Sequence, residues 1–476
     1  MPIRLFNSLS QAVEPLQPLQ PGRVRMYTCG PTVHDRAHIG NFRSYLAEDL
    51  LRRHLEARGL KVEQVMNFTD VDDKIIKKAS ARGQSLEDFT TPFIDAFLAD
   101  MAQLRIEPAQ RMPRATQYIG TMVTLVERLM EAGHAYQSEG SVYFRLASFP
   151  AYGKLSRLDM RGLSAGASGR IDADEYEVKE AVGDFALWKA AAEGSLAAWP
   201  SPYGWGRPGW HLECSAMAMD LLGESLDIHC GGVDNKFPHH ENEIAQSEAA
   251  TGRTFVRLWF HVEHLLVEGG KMAKSQGNFM TLSDLIGRGH SPLAVRYHIL
   301  GNTHYRQRLH FREPDLVGAS ESLDRLATFW RRCAAAHGAA LRTAGSGDPL
   351  TATAQRASDR FEASMDDDLN LPQALGFLHD LVREGNRLLD EGRAGGGGCD
   401  AALSALRAAD TRLAVIEQAA GSEDSRLNQE EQRAVQRREE ARRKGNFSKA
   451  DRIRDQLLEL GIVVEDTKEG TRWHRL

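Results

Sequence analysis

The sequence predicts an α/β fold. A Rossmann-type parallel-sheet domain carries an inserted domain and is followed by an α-helical bundle and a small C-terminal α+β unit. Three observations predict it. A strand, a helix and a second strand follow one another between Arg23 and Met66. The same alternation resumes near Cys214, after a stretch of different composition. The last third is rich in Ala, Leu and Arg at helical spacing. The chain has 476 residues, and at roughly 100–200 residues per domain that length suggests three or four domains.

In order, Arg23–Thr28 alternates as a short strand does, and Cys29-Gly30-Pro31 stops it. From about Asn41, Tyr45, Leu46, Asp49, Leu50 and Leu55 recur at turn-like intervals, and Gly59 closes that helix. Lys61–Met66 is the second strand. A βαβ unit of this kind places ligands beyond the carboxyl ends of its strands. Residues from Asp70 to Gly133 read as mostly helical. Between Gly140 and Pro208, Gly, Ser and Pro are frequent, acidic residues cluster at Asp172–Glu177, and Trp188, Trp199 and Trp205 appear; this reads as the insertion. A helix through Cys214–Leu222, a strand at Leu226–His229, a helix from His239 and a strand at Val256–His261 resume the α/β pattern. Glu313–Ala420 reads as the bundle, with a flexible break at Gly395–Gly398. Helices at Asn428–Gly445 and Lys449–Gly461 and a hairpin at Ile462–Trp473 complete the chain.

Composition excludes several classes. Hydrophobic residues at 42% and charged residues at 26% are ordinary for a globular chain, so global disorder is out. No window approaches the roughly 20 apolar residues of a membrane helix. The first residues lack the apolar core of a secretory leader. The five scattered cysteines, Cys29, Cys214, Cys230, Cys333 and Cys399, suggest a reducing cytoplasm rather than a disulfide scaffold. The net charge of −6 argues against a binder of bulk nucleic acid. The tail from Ser425 is more basic than the rest, which leaves room for a local RNA contact.

Two short motifs carry chemistry. His38-Ile39-Gly40-Asn41 stands after a strand and a Gly-Pro turn, where a helix begins. Helix N-termini offer free N–H groups to phosphate, and Gly40 permits close approach. Lys271-Met272-Ala273-Lys274-Ser275 follows Gly269-Gly270. Its lysines suit the charge that develops on a departing pyrophosphate. A third constellation is Phe237-Pro-His-His-Glu-Asn-Glu243, where His239 and Glu243 share a helix face at i, i+4. With Cys29 and Cys214 they make a donor set suited to Zn2+. Spacing alone does not pair the two cysteines, so buried thiols and a capping histidine remain an alternative. His240 and Glu241 are set aside because their side chains point to other faces.

The two short motifs resemble the HIGH and KMSKS signatures of class I aminoacyl-tRNA synthetases. Tyr27-Thr-Cys-Gly-Pro-Thr32, Met66-Asn-Phe-Thr-Asp-Val-Asp-Asp-Lys74, Gly206-Arg-Pro-Gly-Trp-His211, Glu213-Cys-Ser-Ala-Met217, Phe237–Glu243, His304-Tyr-Arg306 and Ala450–Asp455 narrow the resemblance to the cysteinyl-tRNA synthetase family over essentially the whole chain. The resemblance implies the following organisation: residues 1–118 and 206–253 as the two catalytic halves, 119–205 as the inserted connective domain, 254–318 as the stem-contact region with the lysine loop, 319–420 as the bundle and 425–476 as an anticodon-binding domain. The implied activity is ATP-dependent formation of cysteinyl adenylate and transfer of cysteine to tRNA(Cys), in a cytoplasmic monomer with no membrane partner.

The resemblance also implies site residues. Cys29, Cys214, His239 and Glu243 become ligands of one Zn2+ per chain. Pro31, Thr32, His38, Gly40, Asn41, Lys271, Met272, Lys274 and Ser275 face ATP, with which Mg2+ travels; His38, Asn41 and Lys274 are its catalytic members. Tyr27, Thr69, Trp210, His229 and Asp234 surround L-cysteine. Arg433, Arg437, Arg442 and Trp473 meet tRNA, since arginine binds phosphate and tryptophan can stack on a base. Asn41 departs from the signature histidine and Ala273 from the signature serine. Asn41 keeps an N–H donor but carries no positive charge. Three rival readings stand beside this one. A ligase of cysteine to an amino sugar lacks a use for the tail. A zinc hydrolase leaves Lys271–Ser275 without a role. A silent tRNA binder rests on the two departures.

Overall fold

The computed structural model describes residues 2–157, 183–267, 270–272, 279–338, 348–421, 429–467 and 470–475. Four parallel strands form the central sheet: β1 (Arg23–Thr28), β2 (Lys61–Met66), β3 (Leu226–Gly232) and β4 (Val256–Val262), in the order β4-β3-β1-β2. The register sets Tyr27 against Val65 and His229, and His229 against Trp259. From β1 the chain crosses to β2 through helix α1 (Ile39–Ala57), while β3 lies on the opposite side of β1. That reversal opens a crevice between the carboxyl ends of β1 and β3, where open α/β sheets bind ligands.

The strands are buried on both faces, as parallel strands must be. One face packs Phe42, Leu46, Leu50 and Leu51 of α1 against Met26, Met66 and Phe260, and this core continues into the bundle. The other face buries Tyr27, Val65 and Trp259 with Cys214, Met217 and the insertion's Trp188. The insertion forms an antiparallel sheet of Ala135–Ser138, Ser141–Phe144, Phe185–Ala190 and Gly206–Pro208. Two expected boundaries shift. The insertion's last strand runs to Pro208 rather than ending at 205, and the catalytic sheet extends past 253 through β4. A three-stranded sheet then joins Leu265–Val267, Gly270–Lys271 and Leu309–Phe311.

The bundle comprises Asp315–Gly338, Pro349–Asp366, Leu371–Asp390, Gly396–Leu413 and Ile416–Gly421. The expected flexible break at Gly395–Gly398 is instead the start of a helix. Asp348 accepts the N–H groups of Gly395 (2.9 Å) and Gly398 (3.0 Å), satisfying donors that the helix itself cannot. A Cβ at Gly398 would lie 2.5 Å from that carboxylate, so glycine lets it approach. At the C-terminus, helices Gln429–Arg443 and Phe447–Glu459 and a hairpin of Ile462–Thr467 with Gly470–Arg475 enclose Val435, Ile453, Leu457 and Ile462. An N-terminal hairpin, Arg4–Asn7 with Ala12–Pro15, was not expected. Its strands are too short to show periodicity, and Asn7 Oδ1 ties it to Trp259 N in β4 (3.1 Å).

Candidate active site and metal centre

Four elements bring donors together at the crevice. Cys29 is the first residue past β1. Cys214 lies one turn into helix α2 (Trp210–Leu222). His239 precedes helix α3 (Glu241–Thr251), and Glu243 sits in its first turn. Cys29 Sγ stands 3.9 Å from Cys214 Sγ and 3.4 Å from His239 Nε2, which is 3.1 Å from Glu243 Oε1. Cys214, His239 and Glu243 are wholly buried. Glu243 Oε1 has no hydrogen-bond partner, while Oε2 meets His229 Nε2 at 2.9 Å. His239 Nδ1 is 2.9 Å from His211 Nδ1, and Trp210 stacks on its ring at 4.2 Å. With Nδ1 engaged, Nε2 is the atom turned to the thiols and the carboxylate.

The electrostatics ask for a cation. The hydrogen bond to Cys29, then burial, pushes the Cys214 thiol well up. Burial raises Glu243, and burial followed by the charges of Cys214 and Glu243 raises Tyr27. Two thiols, an imidazole and an orphaned carboxylate oxygen in a dry pocket fit a divalent metal, which would let all the acidic donors ionise together. His240 departs from expectation: it turns inward, with Nε2 unpartnered and 3.9 Å from Glu243 Oε1, and Nδ1 2.8 Å from His261 Nε2. Among the described residues three overlapping donor groups occur, and His240 belongs to two of them. Glu241, set aside with it, accepts from Gly153 N and Ser156 N and so anchors the insertion.

Around the cluster, Tyr27 and His229 lie ring to ring at 5.1 Å. Thr69 Oγ1 donates to Glu213 Oε2 (2.9 Å) and faces Asn67 Nδ2 (3.3 Å). Asn67 Oδ1 accepts from Gly30 N (2.9 Å) and lies 3.7 Å from Cys214 Sγ. Sequence reasoning missed Asn67, His211 and Glu213 as site residues, although each stands in a motif it had singled out. Their signal is a polar side chain where a strand end or a buried helix face calls for an apolar one. Asp234 is exposed beyond β3, and its charge favours the protonated form of His38 against the effect of burial.

The other end of the crevice is built locally. His38 caps α1, its Nδ1 accepting Asn41 N at 3.2 Å while Asn41 Oδ1 accepts His38 N at 3.0 Å. This reciprocal cap starts the helix at Ile39, ahead of the expected Asn41. Because Nδ1 accepts, the ring proton sits on Nε2. Burial lowers the His38 pKa, which favours the neutral ring. A Cβ on Gly40 would meet His38 Nδ1 at 2.9 Å and Met272 at 3.3 Å, so glycine lets the second motif approach the first. Phe279 sets its ring edge-on to His38, and Met280 O accepts Ile39 N at 3.0 Å. Pro31 O accepts Thr69 N (3.1 Å), and Thr32 pairs with Thr69. Lys271 ends a short strand. Lys274 and Ser275, like Ala273 and the acidic cluster at 172–177, lie outside the described residues.

Of the tail residues, Arg433 and Arg437 are exposed on Gln429–Arg443, and Arg442 lies over Phe447 at 6.0 Å. Trp473 is half-buried in the small core, with Arg331 of the bundle 5.9 Å from its ring. One face of that indole is therefore already covered.

Known proteins resemble the chain along its length. The family described as the class I (C) tRNA synthetase catalytic domain matches residues 15–321, the DALR domain residues 360–416, and the cysteinyl-tRNA ligase anticodon binding domain residues 424–473. The cysteine–tRNA ligase of Solibacter usitatus is 47% identical over 483 residues, covering 100% of both chains. That of Protochlamydia amoebophila is 44% identical over 476 residues, covering 99% of this chain and 98% of its own. Among solved structures, Mycobacterium tuberculosis methionyl-tRNA synthetase in complex with methionyl-adenylate superposes with a TM-score of 0.65 at 16% identity, over 84% of this chain and 92% of that one. At that identity the likeness speaks for the fold.

Proposed function

The chain belongs to the cysteine–tRNA ligases of the class I aminoacyl-tRNA synthetases, and from that premise we propose how its residues divide the work. The hydrolase, amino-sugar ligase and silent-binder readings fall with the family assignment. Cys29, Cys214, His239 and Glu243 hold one Zn2+. The observation that carries this is that Cys214, His239 and Glu243 bring their donor atoms within 4.8 Å of one another, with Cys29 Sγ 3.4 Å from His239 Nε2 and Glu243 Oε1 left without a hydrogen bond. When bound, the zinc supplies a soft partner for the substrate's thiolate that a serine hydroxyl does not match. Packing alone separates such near-isosteres by only about 1–3 kcal/mol, so no editing site is required. Glu243, shared with His229, is the ligand best able to yield.

Tyr27, Trp210 and His229 close on the small side chain, while Thr69 and Asp234 orient its amino and carboxylate ends. ATP lies across the crevice with its phosphates at the start of α1, among Pro31, Thr32, Gly40, Lys271, Met272 and Ser275, accompanied by Mg2+. The carboxylate of cysteine attacks the α-phosphate, and pyrophosphate leaves. His38 donates from Nε2. Asn41, whose carbonyl is committed to the cap, offers its amide N–H. Lys274 neutralises the departing charge. The ribose 2′-hydroxyl at the tRNA terminus then attacks the acyl carbon of the adenylate.

The bundle and the tail, with Arg433, Arg437, Arg442 and Trp473, grip tRNA(Cys). The protein is read as a cytoplasmic monomer. No helix among the described residues is long and apolar enough to cross a membrane. The test is pyrophosphate exchange with cysteine and with serine, before and after chelation. The selectivity should collapse on chelation and return with added zinc. Selectivity that survives complete removal of the metal would refute the zinc assignment.

A further inference from the structure

Two arginines are buried between the catalytic domain and its neighbours, and neither belongs to a signature. Arg43 follows Asn41 by two residues on α1 and is 2% exposed. Its guanidinium donates to Ile299 O, Thr303 O (3.1 Å), His304 O (2.9 Å) and Gln307 O (3.4 Å). These carbonyls belong to the C-terminal end of helix Pro292–Gly301 and the turn that follows it. Among the described residues no carboxylate pairs with Arg43, and its Nε has no partner. Arg296, on that same helix, reaches back to α1. It donates to Asp49 Oδ2 (2.6 Å) and to Leu104 O (2.9 Å) and Leu413 O (2.6 Å), at the ends of helices Leu86–Gln103 and Gly396–Leu413.

The two arginines differ in what they join. Arg296 satisfies terminal carbonyls of two helices and fixes the middle of α1. Arg43 joins the first turns of α1 to the segment that returns from the lysine loop. Gln307 leads directly into Leu309–Phe311. That strand pairs with Leu265–Val267, which in turn pairs with Gly270–Lys271. The first turn of α1, the Arg43 hydrogen bonds, the chain from Gln307 to Leu309 and two strand pairings therefore link Asn41 to Lys271. The oriented carbonyls at a helix C-terminus are a natural seat for a cation. A guanidinium with only neutral acceptors nevertheless carries a desolvation cost, so packing alone does not call for it.

We propose that Arg43 is a positioning residue for adenylate formation: seated among the carbonyls of residues 299–307, it holds the first signature at a fixed spacing from the strand that carries the second. The proposal rests on the reading that His38 and the lysine loop act on the phosphates. Arg43 itself touches neither substrate. Arginine is needed because its planar fork reaches several carbonyls at once, whereas a lysine ammonium keeps the charge but spans fewer of them.

The test compares R43K with R296K and H38A in cysteine-dependent pyrophosphate exchange at 25 °C, with circular dichroism, melting temperature and bound metal measured on each. R43K is expected to stay folded with full metal content and an unchanged KM for cysteine, while kcat falls at least tenfold. R296K is expected to melt earlier, with kcat within twofold of wild type. An R43K enzyme that behaves as R296K does, or that loses metal, cysteine affinity and rate together, overturns the proposal. So does an R43K chain that does not fold, because Arg43 is then a structural necessity only. H38A separates the two readings: if its exchange rate is unchanged, the phosphate assignment of the first signature fails, whatever R43K shows.

Discussion

The two ends of the crevice are built in opposite ways. The proposed amino-acid end is assembled from Cys29, Cys214 and the pair His239 and Glu243, three places far apart in the chain, and Cys214, His239 and Glu243 are wholly buried. The phosphate end is assembled from neighbours, His38 to Asn41, capping each other at the half-exposed start of one helix. The difference follows from what each end must recognise. A thiol differs from a hydroxyl by one atom, and a largely buried set of soft and charged donors is suited to sense that atom. A phosphate chain is large and charged, and a helix N-terminus with a few mobile donors suffices for it.

The largest effects should therefore come from the buried end. Replacing Cys214 by serine removes a soft donor from the proposed zinc site, where the buried donors lie against one another. Bound zinc should fall well below one per chain, and cysteine-dependent exchange should drop by about a thousandfold or more. Metal analysis and exchange kinetics on the same preparation check this. A C214S protein with one tightly held zinc and near-normal exchange would break the contrast, because the buried end would then tolerate local change as the phosphate end does.

The second effect belongs to the phosphate end. Lys274→Ala removes a charge that acts when pyrophosphate departs, and about a hundredfold loss of kcat is expected from one such group. Metal content and KM for cysteine should hold, since the charge it removes is proposed to act on the departing pyrophosphate. Equal losses in kcat and in cysteine affinity would show that the ends are not separable.

The same contrast decides what the sequence could reveal. His38-Ile-Gly-Asn41 is local, so its position after a strand and at a helix start is readable from neighbouring residues. The sheet was readable too, because Arg23–Thr28 and Lys61–Met66 alternate with a helix between them. The metal site was not readable from spacing. Nothing short-range relates Cys29 to Cys214, and only a family resemblance joined them; the folded β1–α2 contact now gives the reason. His240 was set aside on the ground that only one face of the helix meets the site, whereas the helix start is buried all round, from His239 to Ser247, so His239 and His240 both face protein. The helix start at Gly396 was invisible because its cap, Asp348, lies far back in the sequence.

A third prediction turns to burial without a ligand. Glu48 lies on α1 with both carboxylate oxygens enclosed and unpartnered, near Tyr45 and Cys230. Burial pushes its pKa from 4.5 to about 8. Between those two values the folded protein holds a proton that the unfolded chain has released. Stability contributed by the protonated acid is thus fully present below pH 4.5 and drains away as the pH rises through 8, by up to a few kcal/mol. In Glu48→Gln that slope should vanish. Denaturant midpoints of the two proteins at pH 5 and pH 8.5 test it, and the change in their difference matters rather than either offset. Parallel pH profiles would mean that Glu48 finds a partner in solution.

The smallest effect should come from Asn41, where the phosphate end uses one residue for two tasks. Its carbonyl accepts His38 N and so completes the cap, while its side-chain amide N–H, at an exposed position, is the donor proposed for the phosphates. Asn41→Ala removes both and should cost about 1 kcal/mol of stability together with a several-fold loss in exchange. Asn41→Asp keeps the acceptor, so the cap and the melting temperature should survive. It replaces the donor with negative charge, however, so exchange should fall further than in the alanine protein. An aspartate variant as active as wild type would mean that Asn41 serves α1 alone, and the phosphate end would then rest on His38 and the lysine loop.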